Sequence, residues 1–130
     1  MAYQYDGSGV TITLTAAADL SALQYCFVKL TAGHTVNACA ATTDKPIGVL
    51  LNKPGANQAA TILIAGVTQV KSSGVIAFGA SIGVEGAATS RAVTAATPSA
   101  NPCVGTALEA AAANEIFSAS INCLASQPGS

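Results

Sequence analysis

Val10-Thr11-Ile12-Thr13-Leu14-Thr15 alternates apolar and hydroxylated side chains without a fault. A period of two puts Val10, Ile12 and Leu14 on one face of an extended chain and the threonines on the other, the mark of a strand buried on one side and wet on the other. Phe117-Ser118-Ala119-Ser120-Ile121-Asn122-Cys123 repeats the pattern near the other end. Between them lie short runs rich in Val, Ile and Thr at 25–31, 35–40, 47–51, 61–71, 75–78, 91–94 and 104–108, punctuated by Gly33, Pro54-Gly55, Ser72-Ser73-Gly74, Gly79, Gly86 and Pro98-Ser99. Short strands broken by turn residues every 8 to 12 positions or so predict an all-β fold: an antiparallel β-sandwich or small β-barrel with short loops and little or no helix.

One hairpin can be placed in register. With Ala32-Gly33-His34 as its loop, Leu30 faces Val36, Val28 faces Ala38 and Cys26 faces Ala40, apolar opposite apolar throughout. That register sends Cys26 and Cys39 to opposite faces and argues against a bond between them. The alanine-rich stretches at 15–23 and 107–114 have good helical propensity, but each is about two turns long and lacks an apolar stripe, so both read as connections. A faint internal echo links Pro46-Ile47-Gly48-Val49-Leu50-Leu51 and Pro102-Cys103-Val104-Gly105-Thr106-Ala107-Leu108, each leading through a turn into a further strand, as in two similar hairpins. The glycines of 79–86 lack a following Lys-Ser or Lys-Thr and read as turns, bulges or strand ends, not as a phosphate loop.

A length of 130 residues fits one core, divided here into an arm over 1–9, a β domain over 10–124 and a tail over 125–130. Only 8% of residues are charged, against about 25% in an ordinary soluble domain, and the formal net charge is -1. Phosphate backbones find no basic face here, so nucleic acid is not an expected partner. The uncharged runs at 54–70 and 92–108 are broken by Gly, Pro, Asn or Thr, short of the 18 or so apolar residues of a membrane helix, and no export signal opens the chain. The 51% apolar share includes 28 alanines, so the core is built from small side chains.

Chemistry is sparse. Four cysteines, Cys26, Cys39, Cys103 and Cys123, contain no Cys-x-x-Cys pair, and the sole histidine is His34, so no metal site and no cofactor are expected and the thiols read as small buried hydrophobes. His34 falls in the turn and no serine sits in a Gly-x-Ser-x-Gly elbow; no catalysis is expected. Two places read as contacts with a partner. Asn52-Lys53-Pro54 opens the most polar turn of the chain, and Tyr3-Gln4-Tyr5 precedes the first strand, where tyrosines suit an arm that docks.

Asp19-Leu20-Ser21-Ala22-Leu23-Gln24-Tyr25-Cys26-Phe27-Val28-Lys29-Leu30 is followed by Pro46-Ile47-Gly48-Val49-Leu50-Leu51-Asn52-Lys53-Pro54, then by 79–86, then by Val104-Gly105-Thr106-Ala107-Leu108-Glu109. In the order and spacing of these segments the chain resembles the small head-decoration, or capsid cement, proteins of tailed bacteriophages. The resemblance implies an all-β subunit on the outer face of an icosahedral head, made in the bacterial host's cytoplasm, with the major capsid protein and its own copies as partners. A homotrimer is favoured over a dimer, and no catalytic residues come with the likeness. The rival expectation is a virion-surface adhesin or carbohydrate-binding β module, which the absence of Trp and the low aromatic share of 5% disfavour.

Overall fold

The computed structural model describes residues 9–40, 44–85, 90–94 and 103–123. The arm over 1–9, Gly9 apart, and the tail over 125–130 lie outside the described residues. Nine strands follow one another: β1 (Val10–Ala16), β2 (Phe27–Ala32), β3 (Thr35–Ala38), β4 (Gly48–Leu50), β5 (Ala59–Lys71), β6 (Ser81–Val84), β7 (Ala92–Thr94), β8 (Gly105–Ala107) and β9 (Ile116–Asn122). No helix occurs among the described residues. The fold is all-β, as expected, and combines a closed small barrel with an added sheet.

The barrel is β1-β3-β2-β4-β5, closed by the pairing of β5 with β1. Directly opposed residues share a face, so each row can be followed from stave to stave. Ile12, Ile62 and Leu50 form one row, paired successively across β1, β5 and β4, and point inward. Phe27, Val49 and Leu63 form the next row and point outward. There they meet the second sheet, in which β5 continues through β9, β8 and β6 to β7. Val70, Phe117, Ala119, Ile82 and Val104 of that half complete a second core against them.

β5 belongs to both halves because its facing inverts midway. Leu63, an odd position, faces the shared core, yet beyond the middle of the strand it is the even Val70 that does so. The cause is an extra residue: Val10 pairs with Ala65 but Thr11 with Leu63, leaving Ile64 as a bulge. Gly66 follows with φ of 136°, a conformation that side-chain-bearing residues rarely adopt.

The predicted hairpin register stands for Val28↔Ala38 and Leu30↔Val36. The internal echo corresponds to two hairpins, β4–β5 and β8–β9. In each a glycine, Gly48 or Gly105, presses on the next strand so closely that a Cβ would collide with a carbonyl, of Leu63 or of Ser120. One expected strand is displaced. Residues 75–78 make only the isolated bridge Ile76↔Ala111, while 81–84, within the run read as turns, bulges and strand ends, form β6, because Ile82 and Val84 reach the second core. Gly79 keeps the turn role, with φ of 75°.

Candidate functional site

Among the described residues the barrel is sealed at one end and open at the other. Leu20 closes the sealed end, held where its N–H donates to the Pro54 carbonyl at 2.9 Å. At the other end β1 and β3 pair only through Thr15↔Thr35 and Ala16↔Val36, and beyond that the β2–β3 tip parts from β1. The gap is a cleft of about 760 Å³ lined by Ile12, Leu14, Leu30, Ile47 and Ile64, with His34 and Lys45 also in its wall. Inward-facing side chains that the sealed end buries completely are here only partly buried.

Cys123 also lines the cleft. Burial pushes its thiol up to about 12, and burial, with help from the Asp44 carboxylate, pushes Cys39 up to about 12 as well. Burial raises Cys26 too. All four cysteines are free thiols, and these three stay protonated at neutral pH. His34 occupies its turn with φ of 57°. The Asp44 carboxylate is bound by the Lys29 ammonium at 2.9 Å and by the Ala40 N–H at 2.7 Å. Among the described residues no group of three His, Cys, Asp or Glu could hold a metal ion.

Of the turn residues expected to meet a partner, Asn52 and Pro54 are engaged with their own chain. The Asn52 side-chain amide donates to the Ala59 carbonyl and its oxygen accepts the Thr61 N–H, both at 3.0 Å, so the side chain extends the β4–β5 ladder. Pro54 is buried and receives the Leu20 N–H. Lys53 is exposed and, with Lys71, Tyr25 and Ser21, lines a groove of about 240 Å³. Tyr3, Gln4 and Tyr5 lie outside the described residues.

Sequence reasoning missed a second surface. Val75 is 81% and Phe78 78% exposed, on a loop that is nevertheless pinned. Ile76 and Ala111 exchange both backbone hydrogen bonds, at 2.9 and 2.8 Å, and the Gly79 N–H donates to the Ala107 carbonyl at 2.8 Å. The pinning carries Phe78 to the end of the sheet where Leu108, 48% exposed, also stands. The available signal was spacing: Val75 and Phe78 are three apart, which no strand can bury on one face. Large apolar side chains held at the surface by an anchored loop make this a candidate contact surface.

No protein-family model matches the chain, and no curated protein matches its sequence. Its fold is similar to that of the head fiber gp8.5 N base in bacteriophage phi29, at 18% sequence identity and a TM-score of 0.64, over 88% of this chain and 94% of that one.

Proposed function

We propose that the chain is a structural subunit of a bacteriophage head, a decoration or cement protein that binds the outer face of the shell as a symmetric oligomer and holds neighbouring shell subunits together. The observation that carries this reading is the likeness of nearly the whole fold to a phage head fiber base. The exposed Val75 and Phe78 and the scarcity of charge support it, since a subunit covered by neighbours needs apolar surface more than solvation. Its partners are the major capsid protein and further copies of itself, as a trimer or a dimer; the reading calls for no cofactor, nucleic acid or catalysis.

Strength would come from repetition. An oligomer presents each patch two or three times, so weak single contacts combine through effective concentration. Binding to the assembled shell lowers the free energy of that state alone and so raises the force or temperature that breaks it. Val75, Phe78 and Leu108 would supply the apolar centre of a contact and the exposed Lys53 a polar rim.

Co-sedimentation with purified heads tests the reading. The chain should saturate at a fixed ratio to shell subunits, and Phe78→Asp with Val75→Asp should abolish binding while the melting temperature stays within a few degrees. Heads that sediment free of the unaltered chain would refute the proposal.

A further inference from the structure

Two of the chain's five cationic side chains share one groove, and among the described residues its lining holds no carboxylate. The groove, of about 240 Å³, is assembled from three parts of the chain. Ser21, Gln24 and Tyr25 come from the connection between β1 and β2, Lys53 from the turn between β4 and β5, and Lys71 and Ile116 pair directly across β5 and β9. Hydrogen bonds lock these parts together. The Tyr25 N–H donates to the Leu50 carbonyl at 2.7 Å, and the Tyr25 carbonyl accepts the Lys71 N–H at 3.0 Å. The Gln24 side-chain amide donates to the Leu51 carbonyl at 2.9 Å. Held in this way, Tyr25 keeps φ of 68°, a left-handed conformation that bulky residues rarely adopt and that collects at functional sites. Its half-buried side chain forms part of the wall.

The electrostatics of the groove are one-sided. Lys29 is paired with Asp44, and Arg91 donates to the Asn114 side-chain oxygen. Among the described residues, by contrast, the Lys53 and Lys71 ammonium groups and the Tyr25 hydroxyl have no hydrogen-bond or ion-pair partner. The carboxylates nearest in sequence are spent on their own turns: Asp19 accepts the Ser21 N–H at 3.0 Å and Glu115 the Ala112 N–H at 3.1 Å. Burial raises the Cys26 thiol, and the charges of Arg91 and Lys71 oppose that rise, so a third cation adds to the field here.

We propose that this groove takes the carboxylate of an aspartate or glutamate side chain on a partner protein, which in the functional reading is a shell subunit. The two ammonium groups are donors only and the phenol adds a third donor, whereas an ionised carboxylate only accepts. Ile116, 40% exposed, and the Tyr25 ring give the methylenes of such a side chain an apolar seat. A nucleic-acid backbone is a poorer match, because a net charge of -1 offers its further phosphates nothing. An acidic sugar calls for stacking platforms, and Tyr25 is the single ring among the described lining residues. Four residues carry the chain from Lys71 to Val75, at most about 13 Å, so one partner surface reaches both the groove and the exposed apolar loop.

The site itself is tested on the purified full chain without heads. The probe is glutamate blocked by an acetyl and an amide group, with equally blocked glutamine as the control. In titrations followed by NMR, the Tyr25 and Lys71 amide signals should shift saturably with the first and stay in place with the second. Lys53→Gln and Lys71→Gln should each weaken binding about threefold, and together about tenfold, with the melting temperature unchanged within a few degrees. Signals that ignore the probe, or a double variant that binds as well as the unaltered chain, would overturn the site. So would tighter uptake of glucuronate, which would give the groove to acidic sugars, or uptake that appears only with Asp6→Asn, which would give it to the chain's own carboxylate. Co-sedimentation then reads the partner. The double variant should bind heads at least about tenfold more weakly, and undiminished binding would overturn the assignment to a shell subunit. Heads that ignore the unaltered chain while the probe still binds would sink the functional reading and leave the carboxylate site standing.

Discussion

The two halves that share β5 finish their cores differently. In the second sheet and the barrel wall facing it, Val70, Ile76, Ile82, Phe117 and Ala119 are at most 1% exposed. In the barrel, Leu50, Ala60 and Ile62 are sealed as well, but the row continues through Ile12, Leu14, Ile47 and Ile64, which are only partly buried. The alternation that builds both is the same. A sheet covered by another sheet finds a partner for every inward residue, whereas among the described residues a barrel whose β1 and β3 diverge after two paired residues leaves part of its interior half-covered.

The two echo hairpins should be the least forgiving positions. Gly48→Val and Gly105→Val drive a Cβ into a backbone carbonyl on each side of the comparison, and each should cost upward of about 4 kcal/mol and leave little soluble protein. Gly74→Ala, with nothing within 4 Å of its would-be Cβ, should change stability by less than about 0.5 kcal/mol. Thermal melts of the three variants check this, and a folded Gly105→Val would break the hairpin account.

A smaller effect separates the two cores directly. Phe117→Ala empties a sealed site and should cost about 3 to 5 kcal/mol, whereas Leu14→Ala at the half-open mouth should cost about 1 kcal/mol in the isolated body. Denaturant midpoints on chains lacking residues 1–6 measure both. Equal costs would mean that the mouth is as closed as the core.

The mildest test is alkaline. Cys39 and Cys123 titrate near 9.0 when unfolded but near 12 in the folded chain, where burial favours the neutral thiol. The stability they contribute is therefore complete below pH 9 and drains away as pH rises toward 12. Urea titrations should show a flat profile up to about pH 8.5 and a decline above it, which Cys39→Ala with Cys123→Ala should flatten. An unchanged decline in that variant would assign it to other groups.

Local alternation was legible in the sequence because a strand's facing depends on nearest neighbours alone. Hence β1, β9 and the register of Val28 against Ala38 could be read directly. Pairings made far along the chain could not. Nothing near Val10-Thr11-Ile12 announces that Ile12 meets Ile62, or that a bulge at Ile64 turns one long run into a stave of two bodies. The misplacement of 75–78 has a similar origin. Val, Ile and Phe favour strands, but in 75–78 only Ile76 reaches the core, through an isolated bridge, while Val75 and Phe78 stay exposed, whereas β6 sends both Ile82 and Val84 into it. At the candidate site, the polarity of Asn52 was visible, but its satisfaction by Ala59 and Thr61 depends on the closed hairpin. Of the three turn residues only Lys53 stays exposed, and Phe78 came to light only once its loop was seen to be pinned.

Imaging heads with and without this chain measures the central claim most directly. The account predicts additional density on the outer face of the shell, repeated at symmetry-related positions and large enough for two or three copies, with the Phe78 end of each sheet against shell subunits. Heads of identical density in both samples, or density confined to the shell interior, would contradict it.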